Sequence, residues 1–192
     1  MEKYTDHGIY WDNEWTEPER LLREIGNFLP RLESGRVLDL GCSYGLTTRD
    51  LARKYPGCEI IGIDRKRKII DAAPGFGEVP QNARFDVADG YKSPFSRRSF
   101  DIVVCMNNIA CIYQDYPDRS VIQNEMTRIG EMVKKQGWLM VSDGPYVMRL
   151  KRNGNWKLDV ATRGSVRLFG GLVEGLTGRL GFWMDAMARL RA

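Results

Sequence analysis

Three short segments of the chain carry residues whose types and spacing could bind a polar ligand. One is a turn directly after an apolar run, with the sequence Asp39-Leu40-Gly41-Cys42-Ser43-Tyr44-Gly45. Its two glycines let the backbone turn sharply and approach a ligand without a Cβ in the way. The other two segments are acidic residues that follow apolar runs, Asp64 and the pair Asp89-Gly90. A carboxylate in such a place can accept hydrogen bonds from the two hydroxyls of a ribose.

These residues are positioned by strand and helix patterns that alternate along the chain. Strands are predicted at 36–40, 59–63, 84–87, 100–106 and 138–142, and helices at 46–54, at 65–73 and from Asp115 to Gln136-Gly137. Most of the strands are apolar throughout, which is typical of a parallel sheet covered by helices on both faces. The pattern predicts an α/β fold with a Rossmann-like, doubly wound, mostly parallel sheet in three α/β/α layers. Ligands of such sheets bind at the carboxyl ends of the strands.

The C-terminal part of the chain combines a hairpin pattern with positive charge. Runs at 146–150 and 156–160 flank Arg152-Asn153-Gly154-Asn155, and Asn-Gly is typical of a hairpin turn. Residues 146–192 hold nine Lys or Arg and three Asp or Glu, in a chain whose formal net charge is +4. This charge is interpreted either as a solvated rim or as a surface that meets an anion, a nucleic acid or a membrane surface.

Composition excludes several classes of protein. The 192 residues are 43% apolar and 28% charged, as in a globular domain, and they contain no run of roughly 18 apolar residues that could span a membrane. The four cysteines form no Cys-x-x-Cys pair and the chain has one histidine, so neither a disulfide framework nor a metal site is predicted. With a polar N-terminus that lacks a signal-peptide pattern, the sequence predicts a cytoplasmic protein.

The turn distinguishes between two kinds of nucleotide cofactor. A dinucleotide fingerprint needs glycines where this sequence has Ser43 and Leu46, so nicotinamide binding fits poorly. The order Asp-x-Gly-x-Ser-x-Gly instead resembles motif I of class I S-adenosylmethionine-dependent methyltransferases. In that family the loop wraps the methionine part of the cofactor. The resemblance implies cofactor contacts for five residues of the turn: Asp39, Gly41, Cys42, Ser43 and Gly45. Ser43 replaces the family's middle glycine, and it could offer its amide and its hydroxyl.

The resemblance extends to the ends of the next strands. At the position of Asp64, with Arg65 beside it, the family has an acid that binds the ribose hydroxyls; the alternative for Asp64 is a cap of the next helix. Asp89-Gly90 matches the position where a carboxylate accepts from the adenine amino group and the next amide meets the ring. Asp86 is the alternative there, but it lies three residues earlier in the strand. Asn107 ends the fourth strand, near where the cofactor's amino group and its transferred methyl group are expected to lie.

The resemblance, which covers roughly residues 30–145, implies a function and a domain organisation. The cofactor is expected to be S-adenosyl-L-methionine, with S-adenosyl-L-homocysteine as the product. One methyltransferase-type domain over residues 1–192 is predicted, with an N-terminal arm and helix (1–35), a cofactor-binding core (36–145) and a divergent basic part (146–192). A small-molecule acceptor is predicted, because the Asp/Asn-Pro-Pro-Tyr and Pro-Cys motifs of DNA-base enzymes are absent. The alternatives are an RNA or ribosome methyltransferase that uses residues 146–192 and a non-catalytic cofactor-binding module.

The acceptor side of the site is less defined by the sequence. Asp115, Asp143 and Tyr146 lie near the expected mouth of the fourth and fifth strands. His7, Tyr10 and Trp11 belong to an N-terminal arm that is interpreted either as packing on the edge of the sheet or as closing over the site. None of them is assigned as a general base, and no oligomeric state is predicted. Asp101, at the start of the fourth strand, is expected to have a structural role. The family ends its sheet with an antiparallel pair, whereas only one hairpin follows the fifth strand here, so the C-terminal sheet is predicted to be divergent or to lack its last strand.

Overall fold

A computed structural model of the chain describes residues 26–27, 29–92, 95–106, 127–143, 146–153 and 155–162. Its elements, in chain order, are β1 (Gly35–Leu40), α1 (Leu46–Lys54), β2 (Cys58–Asp64), α2 (Arg67–Ala72), β3 (Ala83–Val87), β4 (Phe100–Met106), β5 (Val133–Asp143), β6 (Tyr146–Asn153) and β7 (Asn155–Thr162). Short 3-10 turns follow α2 and β3, and residues 127–132 are helical. The predictions for His7, Tyr10, Trp11, Asn107 and Asp115 lie outside the described residues.

The described strands form one sheet of seven in the order β3-β2-β1-β4-β5-β6-β7. The first five pair in parallel, whereas β6 and β7 pair antiparallel. The chain proceeds from β1 outward to β3 on one side, then returns to β4 and proceeds outward on the other. This topology confirms the predicted doubly wound α/β fold. Its strand order reverses between β1 and β4, which is where open α/β sheets bind ligands.

Apolar side chains cover both faces of the sheet, and this explains why the parallel strands read as continuous apolar runs. In β1, Val37 packs on the face covered by α1, while Leu38 packs on the face covered by the helical residues 127–132. Each of these side chains is fully buried. Burying such an apolar side chain away from water stabilises the fold by about 1.5–3 kcal/mol per residue. The layers are therefore helix, sheet and helix, as predicted.

The helix α1 is fastened at its C-terminal end by Asn82. The Asn82 Nδ2 atom lies 3.2 Å from the carbonyl oxygen of Ala52, 3.0 Å from that of Tyr55 and 3.1 Å from that of Cys58. These carbonyls include groups that the helix end leaves without an intrahelical partner. The other end of α1 begins at Gly45, whose φ is +80°, and this end faces the carboxyl ends of the strands.

The junction before β5 differs from the sequence prediction. The predicted helix continued through Val133 to Gln136-Gly137, but helical residues end at 132 and Val133 already pairs with Phe100. The register then shifts, so that Ile102 pairs with Trp138. The Arg152 guanidinium explains the early helix end, because it donates from Nη1 to the carbonyl oxygens of Gly130 (3.0 Å) and Val133 (2.5 Å).

Asp101 joins β1, β4 and β5 near the amino ends of β1 and β4, at the opposite end of the strands from the predicted site. Its Oδ2 accepts hydrogen bonds from the Arg36 amide at 2.9 Å and from the Lys134 ammonium at 2.9 Å. Gly137 lies so close that an added Cβ would be 2.8 Å from the Asp101 carbonyl oxygen. Asp101 thus makes the structural contacts that its place at the start of β4 indicated.

The C-terminal strands complete the sheet. Strands β6 and β7 form the predicted hairpin, with Asn153 opposite Asn155 across the turn. Of the two alternatives for the C-terminal sheet, the loss of the last strand is wrong, since the sheet has a sixth and a seventh strand. They follow β5 as an antiparallel meander, because the chain reverses directly between Asp143 and Tyr146. Among the described residues, no helix is both long and apolar enough to cross a bilayer.

Candidate functional site

The turn from Gly41 to Gly45 folds back onto the end of β2. The amides of Gly41 and Cys42 both donate to the carbonyl oxygen of Ile63, at 2.8 and 2.9 Å, and the Gly45 amide donates to Cys42 at 2.9 Å. The φ angles of Gly41, Ser43 and Gly45 are +73°, +50° and +80°. Glycine adopts this left-handed region without a steric penalty, whereas at Ser43 it costs roughly 1 kcal/mol. The turn is therefore tight, locally strained and held to β2.

Asp64 connects this turn to the beginning of α2. Its Oδ2 accepts from the Ser43 amide at 3.2 Å, and its Oδ1 accepts from the Lys66 amide at 2.9 Å. This contact is not a helix cap, because Lys66 precedes the first helical residue, Arg67, and no side chain caps α2. Because each carboxylate oxygen can accept a second hydrogen bond, capacity for ribose hydroxyls is retained. The Ser43 amide, which the sequence analysis considered as a donor to the cofactor, donates to Asp64. Arg65 is exposed beside it.

Asp89 and Gly90 lie past the end of β3, next to Asp64 and β1. The Ala88 amide donates to the carbonyl oxygen of Asp64 at 3.0 Å, which fixes the chain as it leaves β3. A Cβ added to Gly90 would lie 2.8 Å from Leu40 Cδ1, so only glycine allows this approach to β1. The side chain of Asp89 is 24% exposed, with Lys92 Nζ at 3.8 Å.

Asp86, the alternative to Asp89, occupies a different place. It lies within β3 opposite Ile63 and forms an ion pair with Arg84. Asp64 pairs with Val87 in the same register, so Asp86 stops short of the strand end. The geometry at the carboxyl edge therefore favours Asp89 over Asp86.

Asp39 lies beneath the turn and is almost fully buried. Its residue is 2% exposed, and its Oδ2 accepts from the Thr48 hydroxyl of α1 at 2.6 Å. The pKa of Asp39 is raised to about 7, chiefly by burial; the Thr48 hydrogen bond opposes this rise, and the charges of Asp64 and Asp50 add to it. Asp39 is thus a carboxyl that titrates near neutral pH. The sequence analysis did not identify Thr48, although it stands in the first turn of the helix that follows the loop.

Cys42 contributes a buried thiol to the turn. Its Sγ donates to the carbonyl oxygen of Ser43 at 3.6 Å, and burial, followed by the charges of Asp39 and Asp64, raises the pKa of the thiol. Thiolates are the reactive form of cysteine, so this shift makes Cys42 unreactive. Its role in the turn is packing and backbone geometry rather than nucleophilic chemistry.

The ends of β4 and β5 border the space where an acceptor was predicted. Met106 pairs with Ser142 across these strands, and Asp143 pairs with Tyr146 where β5 meets β6. Asp143 and Tyr146 are therefore adjacent at the predicted mouth. Within the part of the chain that the structure describes, no group of three or more His, Cys, Asp or Glu side chains is arranged to hold a metal ion.

The structure brings nearly all the predicted cofactor-binding residues to one edge of the sheet. They lie at the carboxyl ends of β1, β2 and β3 and are Asp39, Gly41, Cys42, Ser43, Gly45, Asp64, Arg65, Asp89 and Gly90. The turn, the β2 end and the β3 end are joined directly, since the amides of Ser43 and Ala88 both contact Asp64. Such an arrangement, with a glycine-containing turn after β1 and carboxylates after the neighbouring strands β2 and β3, suits a nucleoside that carries a polar tail.

Comparison with known proteins defines the class of this fold and site. A family model described as a methyltransferase domain matches residues 37–137, which span β1 to the start of β5. The chain therefore belongs to the methyltransferase-domain family, as the sequence motifs indicated.

Two curated relatives and one solved structure illustrate the similarity. The demethylmenaquinone methyltransferase of Thermotoga maritima is 31% identical over 106 residues, 55% of this chain and 42% of the relative. The trans-aconitate 2-methyltransferase of Afipia carboxidovorans is 41% identical over 66 residues, 34% of this chain and 24% of the relative. The chain spans less than half the length of these relatives. Phosphoethanolamine N-methyltransferase 2 of Haemonchus contortus superposes with a TM-score of 0.59 at 18% identity, covering 92% of this chain and 39% of that one, which shows the shared fold.

Proposed function

We propose that this chain is a methyltransferase that uses S-adenosyl-L-methionine and releases S-adenosyl-L-homocysteine. The observation that carries the proposal is that Asp64 joins the turn to the end of β3. Its carboxylate accepts from the Ser43 amide, and its backbone carbonyl accepts from the Ala88 amide. This arrangement supplies a glycine-lined cradle and two acidic side chains at the switch point of a parallel sheet. Membership in the methyltransferase-domain family supports the same cofactor.

The residues of the edge fit the parts of that cofactor. Gly41 and Gly45, both at positive φ, give the turn the tight backbone along which the methionine part would lie, with Asp39 and Cys42 beneath it. Asp64, with Arg65 beside it, would accept hydrogen bonds from the ribose hydroxyls, since its two oxygens have acceptor capacity beyond their backbone contacts. Asp89 would accept from the adenine amino group.

Two further predicted contacts complete this assignment. The Gly90 backbone would lie against the adenine ring, and Asn107 would complete the site from β4. Asn107 follows the last residue of β4, Met106, and it remains a prediction from the sequence.

Catalysis in this proposal rests on alignment. The bound cofactor supplies a sulfonium methyl that is already activated for transfer. The chain has to hold donor and acceptor in line and to exclude water, for which the ends of β4 and β5 provide the adjacent surface. A general base is required only when the acceptor must lose a proton early, and we assign none.

A small-molecule acceptor is the proposed substrate class. The two relatives above are named for demethylmenaquinone and trans-aconitate, which supports this class. In the basic segment, Arg149 and Lys151 lie over the Trp138 ring at 5.1 and 4.9 Å, which gives both cations a structural role. An RNA acceptor would instead show binding with a steep dependence on salt concentration.

A thermal-shift comparison tests the proposed cofactor. S-adenosyl-L-homocysteine should raise the melting temperature of the full chain, NAD should not, and Asp64→Ala should abolish the shift. Glu59→Gln is the matched control, because Glu59 is an exposed acid at the other end of the same strand. An undiminished shift in Asp64→Ala, or none in the unmodified chain, contradicts the proposal.

Turnover separates the enzyme from a non-catalytic cofactor-binding module. Release of S-adenosyl-L-homocysteine in the presence of a panel of small carboxylic acids and quinols is expected of the enzyme. Tight cofactor binding without product release for any acceptor would favour the module. The single domain over residues 1–192 and a cytoplasmic location are parts of this proposal that come from the sequence.

A further inference from the structure

Arg49 is a buried arginine in the first turn of α1 that the proposed function does not use. It is 2% exposed, although arginine is among the residues least often buried. Its guanidinium donates four hydrogen bonds to backbone carbonyl oxygens: Tyr44 at 2.9 Å, Ala73 at 2.6 Å, Gly77 at 3.1 Å and Glu78 at 3.1 Å. Among the described residues, no carboxylate forms an ion pair with it.

These contacts use the shape of the guanidinium rather than its charge alone. Arginine presents five N–H donors in a rigid planar fork, whereas lysine presents three donors around one point. The Arg49 guanidinium lies 5.2 Å from the centre of the Phe85 ring, which adds a cation–π contact from β3. A buried charge is costly unless its hydrogen bonds are satisfied, and here carbonyl groups satisfy them.

Arg49 joins the candidate cofactor turn to a segment almost thirty residues away. Through Tyr44 it contacts the turn, and through Ala73, Gly77 and Glu78 it contacts the chain after α2. The Tyr44 and Phe76 rings form a second link between the same two segments, stacked with centroids 4.2 Å apart. Two independent contacts therefore converge on Tyr44.

Tyr44 is the residue through which the second half of the turn is held. Its neighbours Ser43 and Gly45 both have positive φ, which carries a steric cost at Ser43 and none at Gly45. Gly41, Cys42 and Ser43 are bound to β2, but these contacts end before Tyr44. At Gly45, an added Cβ would overlap the Phe85 ring and lie 2.9 Å from Arg49 Nη1. The conformation after Ser43 thus depends on Arg49 together with the hydrogen bond from the Gly45 amide to Cys42.

We propose that Arg49 is a positioning residue that sets the affinity of the site for the methionine part of the cofactor. This inference rests on the proposed function. Without Arg49 the turn populates its binding conformation only in part, and the apparent dissociation constant rises by the inverse of that fraction. Asp64 and Asp89, which would bind the ribose and the adenine, accept no hydrogen bond from Arg49, and its contact with β3 is at Phe85, two residues before the end of that strand.

Calorimetric titration of the full chain with two ligands tests this. S-adenosyl-L-homocysteine engages the turn, whereas adenosine lacks the methionine part. Arg49→Met is expected to weaken S-adenosyl-L-homocysteine by about tenfold or more and adenosine by less than about threefold. Arg49→Lys should behave in the same way, since an ammonium cannot bridge the two segments.

Asn82→Ala is the matched control for a loss of stability. Asn82 also binds three backbone carbonyls, but at the other end of α1, so its loss should lower the melting temperature and leave the ratio of the two dissociation constants unchanged. Should the Arg49 variants fail to fold, Phe76→Ala removes the stacking link from an exposed position and should shift the same ratio by about twofold to fivefold.

Each outcome has one interpretation. If the unmodified chain does not bind S-adenosyl-L-homocysteine, the proposed function fails. If it binds and the folded Arg49 or Phe76 variants retain the unmodified ratio of the two dissociation constants, the role of Arg49 is overturned while the proposed function stands.

Discussion

At the residue scale, the site depends on backbone conformations that few side chains allow. The turn uses left-handed φ angles at Gly41, Ser43 and Gly45, and Gly45 is also pressed against Phe85. Asp39 adds a different kind of constraint, a carboxyl without contact with bulk water beneath the turn. Both features are measurable by single substitutions.

Gly45→Ala is expected to destabilise the chain and to weaken cofactor binding. The new Cβ would be strained at φ +80° and would overlap the Phe85 ring, so urea titration should show a loss of about 1–3 kcal/mol in the free energy of unfolding. Gly75→Ala is the control, because no heavy atom lies within 4 Å of its added Cβ, and its effect should be less than about 0.5 kcal/mol. Equal effects of the two substitutions would contradict the strain assigned to Gly45.

Asp39→Asn is expected to remove a pH dependence of stability. Below the pKa of the unfolded chain, Asp39 is protonated in both states and contributes nothing. Between that value and a folded pKa of about 7, the unfolded chain releases the proton first, so rising pH destabilises the fold. Relative to the unmodified chain, the variant should gain roughly 2–4 kcal/mol between pH 4 and pH 8. Denaturation curves with a constant difference over this range would contradict the raised pKa.

At the element scale, polar side chains determine where helices end. Arg152 of β6 binds the carbonyls of Gly130 and Val133, and Asn82 binds those at the end of α1. Burial lowers the pKa of Arg152, as do Arg98 and Arg97, although a guanidinium remains charged at neutral pH. The Arg152 contacts tie β6 to the helical residues 127–132 and to the start of β5.

Arg152→Met is expected to loosen the junction before β5. The substitution keeps the aliphatic stem but leaves two carbonyls without their donor, which should lower the free energy of unfolding by about 1–3 kcal/mol. Hydrogen exchange should accelerate at residues 127–133 more than in α1. Lys151→Met, at the neighbouring position that contacts Trp138, is the control and should change stability by less than about 1 kcal/mol. Unchanged exchange at 127–133 would show that Arg152 does not end this helix.

The sequence predicted the elements whose signal is local. Strands β1, β2 and β4 were predicted within one or two residues, because a strand buried on both faces is apolar throughout. The hairpin was predicted from Asn153-Gly154, since its turn chemistry is carried by adjacent residues. The turn at 41–45 was likewise visible from its glycines.

Contacts between distant segments were not predictable from the sequence. Val133 fits the apolar period of a helix as well as a strand, and only its pairing with Phe100 and the Arg152 contact decide for the strand. Arg49 resembles an ordinary surface arginine of a helix, because its carbonyl partners follow α2, almost thirty residues later. The hydrogen bond from the Ser43 amide to Asp64 was also not predicted, because it depends on the packing of β1 beside β2.

At the scale of the whole molecule, the site belongs to one edge of the sheet. The carboxyl ends of β1, β2 and β3 carry the turn, Asp64 and Asp89, whereas the amino ends carry the Asp101 contacts. The order of the strands reverses beside β1, so the crevice between the diverging crossovers opens at this edge. The proposed cofactor site and the Asp101 contacts thus lie at opposite ends of the strands.

A crystal structure of the full chain with bound S-adenosyl-L-homocysteine tests the central claim most directly. The account predicts the methionine part along Gly41 and Gly45, the ribose hydroxyls on the Asp64 carboxylate and the adenine against Asp89. Binding at the amino ends of the strands, in the hollow lined by Gly57, Asn82 and Arg84, would contradict it.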